Sequence, residues 1–559
     1  MEKSKMTNFC ERVIRCFYIL IGITFLPVLF CVFFLDKHIK YNEGLHPATV
    51  LPNAVLLVIA LAGVAVVCLF ARALRKVELT AKVNIITDIV LAGLFVLLYF
   101  INVWIAREIV FRLPWDIMVV TTHASYVAEG NAIGYQPYFS IYTNNIPIVY
   151  ILKELFTRAM ENPEYPYVND FIWVQTNCVL LSLGGFFGCL TIKKLTRKFA
   201  PTLIYFMLYL ALIGLTPWKI APYTDTYGMI FPIMCVYFYL CYRDAEKAVW
   251  KFLFMALTLV SAAAGGLVKP SIYILLIAIL MVELISFVQK YKEKWKYLLF
   301  EAVLIAGLFF IKGICVDYMI EDIGLDFNEE LGAGWQHYFR MGQNEETTGS
   351  YSTEDAALFG EFQENKQERN EAALERALAR VREKGFFGNI SFGIRKMVMV
   401  FNEGTFGWAN EVEIRERYPL SIARNDRITE FLRNVFWPDM PYTGRFNTFC
   451  QLVWIFCLVG MAGFCFLPGT RRENCVLLAV SFLGIYFYQL LFEARARYLM
   501  VFLPLLVVVS VCGLWQYVEW AVNRLAARRG EVPDSKAECA GARGHFTLAA
   551  VANMLNANQ

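Results

Sequence analysis

Runs of about 20 apolar residues, unbroken by paired charge, recur along this 559-residue chain and restrict it to very few folds. In lipid every backbone polar group must be satisfied within the segment, so each run is read as a spanning helix. Bounded by charge, Pro or Gly, the runs fall at 13–34, 51–72, 84–108, 171–192, 201–217, 223–242, 249–268, 270–288, 297–318, 446–467, 473–492 and 497–522. That is an all-α polytopic membrane protein of about twelve spans. Composition agrees: 58% of residues are hydrophobic and only 18% charged, too few charges to cover a soluble chain of this length. The first run has no small-residue cleavage site after it and is read as a retained helix. A net charge of +4 argues against a nucleic-acid partner. The 15 cysteines lie mostly in apolar runs and none falls in 320–445, so no disulfide framework is expected there.

Basic residues set the orientation. Lys3, Lys5, Arg12 and Arg15 place the N-terminus in the cytoplasm, and Arg72, Arg75, Lys76 and Lys82 follow the second span. Lys193, Lys194, Arg197 and Lys198 belong on the same side. So do Arg243, Lys247 and Lys251; Lys290, Lys292, Lys294 and Lys296; Arg471 and Arg472; and Arg524, Arg528 and Arg529. The apolar run 141–160 would invert this order if it crossed, and it contains Asn144, Asn145, Pro147, Lys153, Glu154 and Arg158. It is therefore read as a helix lying on the outer membrane surface. The resulting plan has two N-terminal helices in 1–83 and a transmembrane core in 84–320 with an outer loop at 112–170. A mainly helical extracytoplasmic domain (321–445), C-terminal helices (446–530) and a disordered cytoplasmic tail (531–559) complete it.

This topology gathers several charges at the outer face, where the charge rule disfavours cations. Asp116 lies in RLPWDIMVV, Asp225 in PYTDTYG, Lys269 in GGLVKPS, and Glu493, Arg495 and Arg497 in FEARARYLMVFLP. Ionisable groups at a membrane boundary are candidates for function. Paired guanidinium groups suit an anion, because their forks grip phosphate bidentately. The structural alternatives are snorkelling to lipid headgroups for the cations, and helix-start charges for Asp116 and Asp225.

These residues resemble the GT-C superfamily of membrane glycosyltransferases, which use polyprenyl-phosphate-linked sugars. The likeness lies in a core helix (84–108) leading to an outer loop with an early acidic residue, Asp116. Two juxtamembrane helices (115–130 and 144–160) follow with Tyr142, Thr143, Asn144 and Asn145 between them, then a second acidic loop (PYTDTYG) and a late arginine-bearing loop (FEARARY). The segment GWQHYFRMGQNEETTGSYSTEDA (334–356) looks like one in bacterial integral membrane proteins of this group. Two spans before the core helix and the lack of an outer Asp-x-Asp motif depart from the pattern, so no cofactor or metal is expected. The resemblance implies transfer of a sugar from a polyprenyl-phosphate donor to an envelope glycan, polymer or lipid acceptor, in a bacterial plasma membrane. Asp116 would be the general base, and Asp225 would act with it or orient the acceptor or the cations. Lys269, Arg495 and Arg497 would hold the phosphate, with Glu493, Asn144 and Asn145 as further binding residues. A flippase for lipid-linked sugars and an envelope polysaccharide polymerase are the alternatives.

Two further readings concern the surroundings. The run EDAALFGEFQENKQERNEAALERALARVREKG predicts a charged helix stopped at Gly385. Gly265, Gly266, Tyr486 and Tyr488 are candidates for lining a polyprenyl groove, and Trp335, Tyr338, Trp408 and Tyr418 for stacking on sugar rings.

Overall fold

A computed structural model describes residues 2–41, 45–46, 48–74, 77, 79–161, 171–362, 365–412, 424 and 426–528. Arg75, Lys76, Tyr418, Arg529 and the tail 531–559 lie outside the described residues, as do the side chains of Lys3, Lys5, Arg72, Lys292 and Arg528. The first part of the chain forms α1 (Glu2–Phe34), α2 (Asn53–Leu74), α3 (Ala81–Ile109), α4 (Trp115–Ala128), α5 (Ile146–Met160) and α6 (Ile172–Thr196). Next come α7 (Phe199–Gly214), α8 (Ile230–Asp244), α9 (Ala248–Val268), α10 (Tyr273–Gln289) and α11 (Tyr291–Asp322). The region between α11 and the last three apolar helices contributes α12 (Trp335–Gly342), α13 (Lys366–Phe401) and α14 (Arg427–Phe436). The chain then returns through α15 (Thr443–Phe464), α16 (Val476–Leu491) and α17 (Leu503–Arg528).

Among the described residues nine helices are long and apolar enough to cross a membrane. They cover nine of the expected runs. The runs 201–217, 223–242 and 473–492 form the shorter α7, α8 and α16. The cause is local: α7 ends in a π-turn at Leu210–Gly214, and the stretch before α8 is spent on turns at Pro217–Ile220 and Thr224–Tyr227.

The spans pack closely where side chains are small. A Cβ on Gly513 of α17 would sit 1.9 Å from the carbonyl of Gly460 on α15, so these two helices meet backbone to backbone. Tyr18 of α1 donates to the carbonyl of Arg472, and Arg471 pairs with Glu519 of α17. Lys193 pairs with Asp88, and Lys194 with Asp244 at 2.8 Å. These basic pairs thus sit at helix ends, each matched by a partner on a neighbouring helix.

Helix α5 is 15 residues long, about 22 Å at 1.5 Å per residue, short of a 30 Å hydrocarbon core. It buries Ile148, Val149, Leu152 and Phe156 on one face. On the other, Lys153 reaches Asp322 at the end of α11, 2.9 Å away.

The region 320–445 departs from the expected water-exposed segment. Gly385 (φ 61°, ψ −174°) stops the charged helix as expected: its backbone is not helical, and α13 is two helices that meet there at a kink. The second half then dives into the bundle. Met397–Phe401 are buried, and Phe401 packs its ring against Phe25, Trp454, Phe482 and Tyr486. A buried amide network satisfies the turn that follows. Asn53 donates to Asn402 (2.5 Å), Asn402 to the hydroxyl of Tyr41 (2.9 Å), Gln451 to Asn53 (3.0 Å), and the amide of Gly404 to Gln451 (2.8 Å). Buried polar groups demand such partners.

Candidate functional site

α4 starts under constraint. Trp115 takes φ 58°, a region costly for a bulky residue, and Asp116 follows in the first turn. Asp116 does not cap the helix: Pro114 holds the cap position without a side-chain bond. Its two oxygens accept instead from Tyr138 (2.7 Å) and Tyr223 (3.1 Å). Asn145 donates to the Tyr138 hydroxyl (2.7 Å) and accepts from Tyr223 (3.3 Å) and Asn144 (3.2 Å). The turn between α4 and α5 is thereby locked to the carboxylate. Burial, reinforced by Asp116, pushes the Tyr138 and Tyr223 hydroxyls well above the usual phenol range, so both remain donors.

Asp225, 1% exposed, sits in the turn Thr224–Tyr227 and pairs with Lys269, which occupies the break between α9 and α10. Burial lowers the Lys269 ammonium from its ordinary value while Asp225 opposes that shift. Neither is a snorkelling or capping group.

The FEARARY stretch wraps over this pair. Arg497 is 5% exposed, with Nε 3.8 Å from Asp225 and 4.0 Å from Glu411. Its guanidinium lies over the rings of Trp115 (5.5 Å), Tyr223 (5.6 Å) and Tyr498 (5.7 Å). Its Nε and Nη1 are buried with no hydrogen-bond partner among the described residues. Arg495 donates to Glu411 at 2.8 Å. Burial disfavours the Arg495 charge, but Glu411 and Glu493 more than offset it. Glu493 accepts from the Tyr498 hydroxyl at 2.6 Å, and its own amide is held by the carbonyl of Tyr338 at 3.0 Å.

All eight sequence candidates therefore converge. Asp116, Asn144 and Asn145 form one hydrogen-bonded group; Asp225, Lys269, Glu493, Arg495 and Arg497 form the other; and Tyr223 joins them by its hydroxyl and its ring face. The sequence reading missed Glu411. It comes from the short helix Trp408–Glu411, which the re-entry of α13 carries into the bundle. It also missed Tyr138, Tyr223 and Tyr498, although Tyr223 stands two residues before Asp225.

Other candidates fall away. Trp408 is fully buried between Phe111 and Trp218 and cannot stack on a sugar. Gly265 and Gly266 are covered by Phe231, Ile272 and Tyr273, and Tyr486 is packed on Phe401. Tyr338 and the half-exposed Tyr351 remain beside Glu493. A cavity of 310 Å³ flanks α4, lined by Phe111, Ile117, Thr121, Tyr126 and Trp173, and Asp116 is not in its wall. Among the described residues no group of three or more His, Cys, Asp or Glu side chains is placed to hold a metal.

A family model described as a conserved hypothetical integral membrane protein matches residues 6–516. No curated protein and no solved structure matches the chain.

Proposed function

We propose that this chain, which belongs to the family of conserved hypothetical integral membrane proteins, is a membrane glycosyltransferase of GT-C type. In this reading it crosses a bacterial plasma membrane twelve times, with both termini cytoplasmic and the Asp116 site on the outer face. It moves a sugar from a polyprenyl-phosphate donor to an envelope glycan, polymer or lipid acceptor. The observation that carries the reading is Arg497: a buried guanidinium with two unpartnered nitrogens, one tyrosine away from a carboxylate. A buried, incompletely paired charge costs several kcal/mol, and a phosphate seated on its fork would offset that cost.

The chemistry follows from the residues. The acceptor hydroxyl attacks the anomeric carbon and its proton passes to Asp116. The new C–O bond forms as the bond from that carbon to the phosphate oxygen breaks. The electron pair leaves on the lipid phosphate, whose charge meets Arg497, Lys269 and Arg495. Phosphate departs without a general acid, so one carboxylate suffices and the anomeric centre inverts. Tyr138 and Tyr223 aim Asp116, and Asp225 and Glu411 hold the cations in place.

The test is transfer of labelled sugar from a polyprenyl phosphate to membrane-derived acceptors by the purified protein in detergent. Formation of a new glycosidic bond supports the proposal. Movement of the labelled lipid across vesicles without such a bond would replace it with a flippase.

A further inference from the structure

A second cluster of ionisable groups lies near the opposite end of the bundle. Of the described residues of α11, Glu301 alone is buried, at 1% exposure. Its apolar neighbours Leu299, Val303, Phe309, Phe310, Ile311 and Ile314 are all exposed. A spanning helix that turns its apolar residues to lipid and its one carboxylate inward is arranged around that carboxylate. Both Glu301 oxygens are buried with no hydrogen-bond partner among the described residues.

Near it, Glu283 of α10 is held by three donors. Its Oε1 accepts from Tyr239 (2.8 Å), and its Oε2 from Tyr242 (3.1 Å) and Lys294 (2.8 Å). Lys294 also donates to the Tyr242 hydroxyl at 2.9 Å and lies over that ring. Among the described residues, further charged or titratable groups near this cluster include Tyr297 on the same helix, whose ring packs against Tyr242, Lys251 of α9 over the Tyr297 ring, and Arg243 of α8 near Tyr239. Glu283 and Lys294 neutralise one another, which leaves the Glu301 charge unmatched. An isolated carboxylate in apolar surroundings is not tolerated, and the group takes up a positive charge or neutralises.

We infer that Glu301 is an intramembrane proton-binding site, an exchangeable carboxylic acid facing Glu283 and separate from the Asp116 site. The proton meets the charge deficit and converts one bare oxygen into a donor. Glu283 Oε1, which accepts from Tyr239 alone, keeps a lone pair to receive it. The two glutamates and Lys294 then form a neutral polar core inside the bundle.

The full-length protein in lipid nanodiscs, treated with the lipid-soluble dicyclohexylcarbodiimide, tests this, because the reagent adds only to protonated carboxyl groups. Peptide mass spectrometry locates the adduct from about pH 6 to about pH 10. Glu301 is expected to be modified at the acid end and to lose modification as pH rises, while Asp244, half-exposed near the same end of the bundle, stays unmodified. In Glu283→Gln, the loss should move down by roughly one pH unit, because the neighbouring negative charge no longer favours the proton. Glu301→Gln, checked for monodispersity, should remove the adduct. An unmodified Glu301 at about pH 6 overturns the inference, as does an unchanged profile in Glu283→Gln. Protection by sodium or calcium ions would show a metal cation in the proton's place.

Discussion

Arg497 holds its Nε 3.8 Å from Asp225 Oδ2, close enough for charge and too far for a hydrogen bond. The distance leaves the guanidinium fork unspent. An anion should therefore bind at Arg497, and Arg497→Lys should weaken it despite keeping the charge, because a point charge cannot bond bidentately. The expected loss for a soluble polyprenyl-phosphate analogue is about tenfold or more, measured by calorimetry. Equal binding by both proteins would remove Arg497 as the phosphate seat.

Glu411 is the member of the site that only the folded chain reveals. It anchors Arg495 at 2.8 Å and lies 4.0 Å from Arg497. Glu411→Gln should free both guanidinium groups to hold anion more tightly while misplacing them for catalysis. Tighter analogue binding with a fall of about tenfold or more in transfer is expected. Loss of both together would mark Glu411 as structural.

Lys396 of α13 ties α12 to the end of α16. Its ammonium donates to the carbonyls of Gly342 (2.7 Å), Leu490 (3.1 Å) and Phe492 (2.6 Å), the last directly before Glu493. Lys396→Met would leave three acceptors without this donor, one of them buried and two part-buried. It should destabilise the protein by about 2–4 kcal/mol, read as a lowered thermal midpoint in detergent.

His337 gives the region around α12 a pH response. Burial, helped by Arg340, lowers its imidazole to about 4. Between its unfolded value near 6.5 and about pH 4 the unfolded chain binds a proton there and the folded chain does not. Stability should therefore fall as pH drops through that window, by up to about 3 kcal/mol. His337→Phe should flatten this dependence in thermal scans; an unaltered slope would assign it elsewhere.

The extent to which the sequence foretold these features follows from how local each signal is. Run length and basic clusters are one-dimensional, so nine of the twelve expected spans could be read directly, whereas the turns that shorten α7 and α8 could not. Asp116, Asp225, Lys269 and the FEARARY charges stood out because each sits at the end of an apolar run. Glu411 did not, because its burial depends on Asn402 finding Asn53 and Gly404 finding Gln451, partners hundreds or tens of residues away. Glu301 was hidden for the same reason: only the folded bundle, in which Glu301 is 1% exposed while Leu299 and Val303 are exposed, tells which side of α11 faces inward. Trp408 looked like a binding residue until Phe111 and Trp218 enclosed it.

The account rests on Asp116 taking the acceptor proton, so the most direct measurement is sugar transfer by Asp116→Asn beside the parent protein. The variant keeps an oxygen for one tyrosine and should remain monodisperse in detergent with analogue affinity within about twofold of the parent. Its transfer rate should fall by about 10²-fold or more. A rate equal to the parent's would contradict the account, and Asp116 would then be no more than the anchor of Tyr138 and Tyr223.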